Sequence, residues 1–205
     1  MYRRSMCFAL LLSPLIARAQ LGAVARIAIL TDLVKAIGAA GEAVSKLTAG
    51  FKDLVVAGND SYKYVAAARE RDRLINLSRR TTNLLVSPNM RVVASLDNYL
   101  AVANPTQGDW EQVVFNLEST LGTVRELLID VQAEDGNFVL EPAFLTLNQT
   151  LSSRALVLSR LSTMPAPSTP EELALLQKAS AEYKLLIANA REAVSQLNVY
   201  IKNSK

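Results

Sequence analysis

Apolar residues recur at alternating intervals of three and four along most of this chain. Leu30, Leu33, Ile37, Ala40, Val44, Leu47, Phe51 and Leu54 form one such series. Trp110, Val114, Leu117, Leu121, Val124, Leu128 and Val131 form another. A third runs Leu173, Leu176, Ser180, Tyr183, Ile187, Ala190, Val194, Leu197 and Ile201. A mean spacing near 3.5 keeps one stripe of a helix facing its neighbour. No segment alternates apolar and polar residues as a half-buried strand would.

Turn chemistry divides these series into elements. Gly58-Asn59-Asp60 is expected to end the first helix, with Asp60 capping the second. Ser87-Pro88 is expected to close the second, and Asn104-Pro105 the short third. Thr106 and Asp109 have the spacing of a capping box. The stretch "AEDGN" (133–137) marks the end of the fourth helix, and Pro142 fits the first turn of the fifth. In "STPEEL", Thr169 suits a cap, Pro170 a first turn, and Glu171 and Glu172 the positive end of a helix dipole. The fold expected is therefore all-α, an elongated antiparallel helical bundle of five long helices and one short one with coiled-coil-like heptad seams. The fifth helix, 141–163, has Leu145 and Leu156 away from its Leu147–Leu151–Leu158 stripe, which suits a central position.

The first residues read differently. "MYRRSMCFALLLSPLIARAQ" has two early arginines, an apolar run from Met6 to Ala17, and Ala17-Arg18-Ala19 at its end. That is the layout of a secretory signal cleaved before Gln20. Residues 1–19 are thus expected to be removed and 20–205 to form a single domain, periplasmic or secreted. Cys7 lies early in the apolar run, where no lipid anchor would be attached.

Export changes the charge. Without Arg3, Arg4 and Arg18 the 22 basic residues become 19, equal to the 19 acids. A nucleic-acid partner needs a basic excess that the exported chain lacks. The mature part has no cysteine, and the chain has no histidine. Thiol nucleophiles, histidine triads and zinc sites of the usual ligand types are excluded. There is no phosphate-binding glycine loop and no Ser-x-x-Lys. Asp130, Glu134, Asp135 and Asn137 lack the alternation of a calcium loop and read as a fraying helix end. Asn59, Asn76 and Asn148 open glycan-acceptor triplets at a frequency near chance. No enzyme, cofactor or metal is expected.

Five arginines lie between Arg69 and Arg80. On a helix, Arg69, Arg73 and Arg80 share one face, with Glu70 and Asp72 interleaved. The plain account is a solvated face with ion pairs worth ~0.2–0.5 kcal/mol each. The functional account is a docking stripe for a protein with an acidic surface. Arg71 falls on the inward side, followed there by Ser78 and Thr81. A carboxylate such as Asp97 or Glu118 could meet it and fix helix register, or Arg71, Ser78 and Thr81 could line a groove where a partner's helix docks. The candidate partner-binding residues are therefore Arg69, Arg71, Arg73, Ser78 and Arg80. Arg154 is expected to carry its head to solvent past an apolar stem. Trp110 is expected to anchor the core at one end of the bundle, with an exposed contact role as the alternative.

The first helix supports a second reading. "LVKAIGAAGEAVSKLTAG" (33–50) places Gly38 and Gly41 among small residues, as membrane helices do. Asp32, Lys35, Glu42 and Lys46 interrupt it, and close packing in water accounts for it better. In architecture alone, the chain resembles the minor pilus subunits of conjugative secretion machines. The expected function is that of an exported, non-enzymatic, protein-binding accessory or assembly factor. The alternative is a bundle that meets lipid through its first helix. The sequence leaves self-association open.

Overall fold

The computed structural model describes the backbone of residues 9–61, 76, 79, 80, 82–134 and 154–203, with side chains described mainly over 22–49, 82–123 and 154–199. Every regular element among these residues is helical. Helix α1 spans Ala9–Ser61. A π-turn, Thr82–Val86, leads into α2, Ser87–Ala101. Helix α3 is Gln107–Glu134. Residues 154–161, here α4, are helical. Helix α5 is Pro170–Asn203.

Most of the predicted seam positions are buried where they are described, while Leu121, Leu173 and Val194 are half-buried. Leu30, Leu33, Ile37, Ala40 and Val44 line α1; Trp110, Val114 and Leu117 line α3; Leu176, Tyr183, Ile187, Ala190 and Leu197 line α5. Each seam is wider than two positions in seven. Val34, Ala36, Val113, Ala179, Leu186 and Ala193 are buried beside them. A helix that touches more than one neighbour must bury a broader stripe than a two-stranded coil does. One core joins all five helices: Ile37 of α1, Leu96 of α2, Leu117 of α3, Leu161 of α4 and Tyr183 of α5 belong to it.

Cross-helix contacts give the directions. Tyr99 and Trp110 stack edge to face at 5.7 Å, while Thr120 Oγ1 lies 3.5 Å from the Pro88 carbonyl. The end of α2 thus meets the start of α3, and its start meets residue 120, so the pair is antiparallel. The five-residue link Val102–Thr106 between them allows nothing else. Asp97 meets Ser180 and Met90 meets Arg191, so α2 is antiparallel to α5 as well. By contrast, Arg26 meets Glu172 and Thr48 meets Asn189. Helices α1 and α5 are parallel.

Two expected boundaries are corrected. Helix α1 passes through Gly58, Asn59 and Asp60 to Ser61, so Asp60 lies inside a helix and does not cap the next one. Gly and Asn weaken a helix interior by roughly 1 kcal/mol or less, which does not compel a break. Likewise, Ser87-Pro88 opens α2 where a stop was expected. Val86 keeps helical angles (φ −77°, ψ −57°), and the chain passes from the π-turn straight into α2. Proline has no N–H for the carbonyl four residues back, and its ring collides with that carbonyl in a regular helix. A wider π-turn makes room for the ring without ending the helical path. The Asn89 side chain donates to the Leu85 carbonyl at 2.5 Å. Six helices alternating in direction would set the first and last antiparallel. The contacts of Arg26 with Glu172 and of Thr48 with Asn189 instead set them parallel.

Other boundaries match. Thr106 N–H donates to Asp109 Oδ2 at 2.8 Å, and Asp109 N–H returns a bond to Thr106 Oγ1 at 3.3 Å, with α3 starting at Gln107. These bonds hold the Asp109 carboxyl below its ordinary pKa. Glu172 N–H donates to Thr169 Oγ1 at 3.3 Å as α5 begins at Pro170.

Candidate functional site

The buried polar groups join helices to one another. Glu172 is 1 % exposed. Its Oε2 accepts the N–H groups of Ser168 (2.9 Å) and Thr169 (3.1 Å). Its Oε1 lies 3.0 Å from Arg26 Nε without the alignment of a hydrogen bond. A carboxylate thus closes the linker, caps α5 and holds α1. Nearby, Arg160 and Asp32 pair at 3.7 Å across the α4–α1 contact.

Arg154 corrects the expectation that it reaches solvent. It is 3 % exposed, its Nη2 donates to Tyr183 Oη at 2.6 Å, and its guanidinium lies 5.7 Å from the Tyr183 ring centre. Burial pushes the Tyr183 hydroxyl above its ordinary pKa, against the pull of the arginine. The apolar stem that would have carried the head outward runs alongside α5 instead, because Tyr183 offers both an acceptor and a π-face.

Asp97 was one acid expected to meet Arg71. It accepts Ser180 Oγ at 2.6 Å and pairs with Lys184 Nζ at 2.9 Å. The serine bond, then the lysine, hold its carboxyl below the usual range. Glu118 faces solvent. Arg80 and its neighbour Arg79 are exposed on helical residues, and Arg79 Nη2 donates to Asn76 Oδ1 at 3.3 Å. Arg69, Arg71, Arg73 and Ser78 lie outside the described residues, as do Asp135, Asn137, Leu145, Leu147 and Leu151. The described end of α4 is not surrounded by neighbours, since Leu156 is 66 % exposed. Trp110 is a core anchor: it is buried, and its Nε1 lies 3.4 Å from the Leu161 carbonyl.

A groove of about 420 Å³ lies between the outer faces of α2 and α3. Arg91, Ala94, Ser95, Asn98 and Val102 come from one wall, Asp109, Gln112 and Asn116 from the other, and the buried Tyr99 borders it. Comparison with protein-family models, curated proteins and solved structures finds no match. The groove was not singled out from the sequence. Asn98, Gln112 and Asn116 sit at polar positions that look like any solvated face until α2 and α3 are set side by side. Three carboxamides can donate and accept at once, and they suit a polar ligand surface without preference for one charge. Among the described residues, no three Asp, Glu, His or Cys side chains gather as a metal site. No helix among them is long and apolar enough to cross a membrane.

Proposed function

We propose that this chain is an exported, non-enzymatic helical bundle that binds another protein as an accessory or assembly factor of a cell-envelope or secretion machine. Its full form is an elongated antiparallel bundle, with a single domain following the cleaved signal at 1–19. The observation that carries the binding role is the α2–α3 groove, a concave surface lined by Asn98, Gln112, Asn116 and Arg91. Its border at Tyr99 is rigid, since Tyr99 is fixed by Trp110 and donates its hydroxyl to the Pro167 carbonyl at 2.7 Å. Polar rims on a fixed frame are typical of transient protein interfaces. The buried ionic groups already have helix-bridging roles, which supports a scaffold more than a reaction centre. The basic stretch Arg69, Arg71, Arg73, Ser78 and Arg80 would add a docking edge for an acidic surface.

Photo-crosslinking in an exporting host tests this reading. A photoreactive residue at Asn98 or Gln112 is expected to capture one discrete foreign protein, and the same residue at the exposed Lys35 of α1 is not. Equal yields at all three positions would count against the groove. N-terminal sequencing of the exported chain should begin at Gln20, and retention of Met1 would remove the export half of the proposal.

A further inference from the structure

Four polar side chains that line the α2–α3 groove have no hydrogen-bond or ion-pair partner among the described residues: Arg91, Asn98, Gln112 and Asn116. They lie on two facing stripes. Arg91, Asn98 and Val102 share one face of α2, and Asp109, Gln112 and Asn116 share one face of α3. Tyr99 lies against Trp110 and Pro88 against Thr120. That register sets Arg91 near the level of Asn116, and Asn98 between Asp109 and Gln112. The groove therefore has Arg91 and Asn116 at one end, carboxamides in the middle, and Val102 and Asp109 at the other end.

This pattern selects among occupants. A helix satisfies its own main-chain groups and docks by an apolar ridge. The exposed apolar residues of the groove are only Ala94 and Val102. A saccharide stacks on exposed aromatic rings, and Tyr99, the one aromatic among the lining residues, is 2 % exposed. An extended peptide carries a free N–H and C=O at every residue, and a carboxamide can accept from one and donate to the other. Charge sets its direction. Arg91 is exposed and unpaired, and a guanidinium matches a carboxylate in a bidentate pair. Asp109 stays charged because its bonds from Thr106 hold its pKa down, so the far end disfavours a second acid. Arg91 and Val102 are eleven positions apart, about 16 Å along a helix. An extended chain rises ~3.3 Å per residue, so about five residues fill that length.

We infer that the α2–α3 groove holds an extended segment of its protein partner, about five residues long, by its main chain, with an acidic side chain of that segment paired to Arg91. The inference rests on the reading that this groove is the partner-binding site, and it names what the groove reads. The carboxamides give affinity that tolerates many sequences, while Arg91 fixes register and direction. So short a contact is small, and the binding is weak and exchangeable.

Selection of random linear heptapeptides, displayed on phage, against the purified chain tests it. Enriched peptides are expected to carry Asp or Glu at one fixed position. Selection against Arg91→Glu is expected to place Lys or Arg there instead. The most enriched peptide, made with a fluorophore, should bind at least ~10-fold more weakly when two central amides are N-methylated. It should lose as much against the double variant Asn98→Ala, Gln112→Ala, with the helical circular dichroism kept. Failure to enrich any peptide would overturn the inference. So would enrichment without an acidic position, the same acids selected by Arg91→Glu, or full binding by the N-methylated peptide or to the double variant. If photo-crosslinking at Asn98 still captures one discrete protein after such a result, the groove docks a folded surface and this inference alone falls. If that crosslink is lost as well, the partner-binding reading falls with it.

Discussion

Arg154 and Tyr183 form a buried pair, 2.6 Å from guanidinium to hydroxyl, that joins α4 to α5 inside an otherwise apolar region. A buried guanidinium is held by its partner's acceptor, so truncating either side chain has unequal effects. Tyr183→Phe leaves the charge with one fewer acceptor and should cost about 1.5–3 kcal/mol, the worth of a charge-assisted bond. Arg154→Met removes the charge together with its desolvation and should cost less, or even stabilise. Urea denaturation of the two single variants and the double variant checks this; additive effects would mean that the pair is not coupled.

The two buried tyrosines should make the fold sensitive to alkali. Burial raises Tyr183 above its ordinary pKa and pushes Tyr99 up to about 12. A group whose pKa is higher folded than unfolded contributes its full stability below the unfolded value, near 10, and loses it as pH rises through the folded one. Stability should therefore fall from pH ~10 upward as the unfolded chain gives up phenolic protons. Tyr99→Phe should flatten that fall in a pH series of melting curves. A parallel decline in wild type and variant would contradict the assignment.

Glu172 should be among the most costly single charges to remove. Glu172→Ala loses two accepted backbone N–H bonds and the Arg26 contact, and leaves the Ser168 and Thr169 donors unpaired. The expected loss is ~2–4 kcal/mol. Arg26→Met should cost less, ~1 kcal/mol, because the Arg26 side chain is 26 % exposed and part of its interaction is screened. Thermal melts of both variants check the order, and a larger effect at Arg26 would mean that Glu172 is held mainly by charge.

Glycines in the helices offer room for stabilisation. A methyl group at Gly122 in α3 or at Gly41 in α1 would meet nothing within 4 Å. Gly122→Ala should stabilise by ~0.5–1 kcal/mol through lower backbone entropy in the unfolded chain and better helix propensity. Gly38 differs little, since its methyl would lie 3.9 Å from the Glu182 carboxylate, an ordinary contact. The small residues of "LVKAIGAAGEAVSKLTAG" therefore do not force a close approach at these glycines. A melting temperature lowered by Gly122→Ala would refute this.

Much of the local structure was legible in the chain itself. Periodicity depends on the helix repeat alone, so Leu33, Ile37, Leu117 and Tyr183 could be placed inside without knowing their neighbours. The capping pairs Thr106–Asp109 and Thr169–Glu172 are local hydrogen-bonded motifs, readable at three-residue spacing. Pro88 was misread because a proline signals an interrupted ladder and not how the chain answers the interruption.

The amino-acid order by itself fixed helical content, most helix ends and the inward faces, because each follows from contacts within a few residues. Only the tertiary structure decided that α1 and α5 run parallel, that Arg154 turns inward to Tyr183, that Glu172 ties the linker to α1, and that Asn98, Gln112 and Asn116 share a groove. Those relations join residues tens of positions apart. Their energy comes from removing charges and apolar surface from water together, which no single helix can do alone.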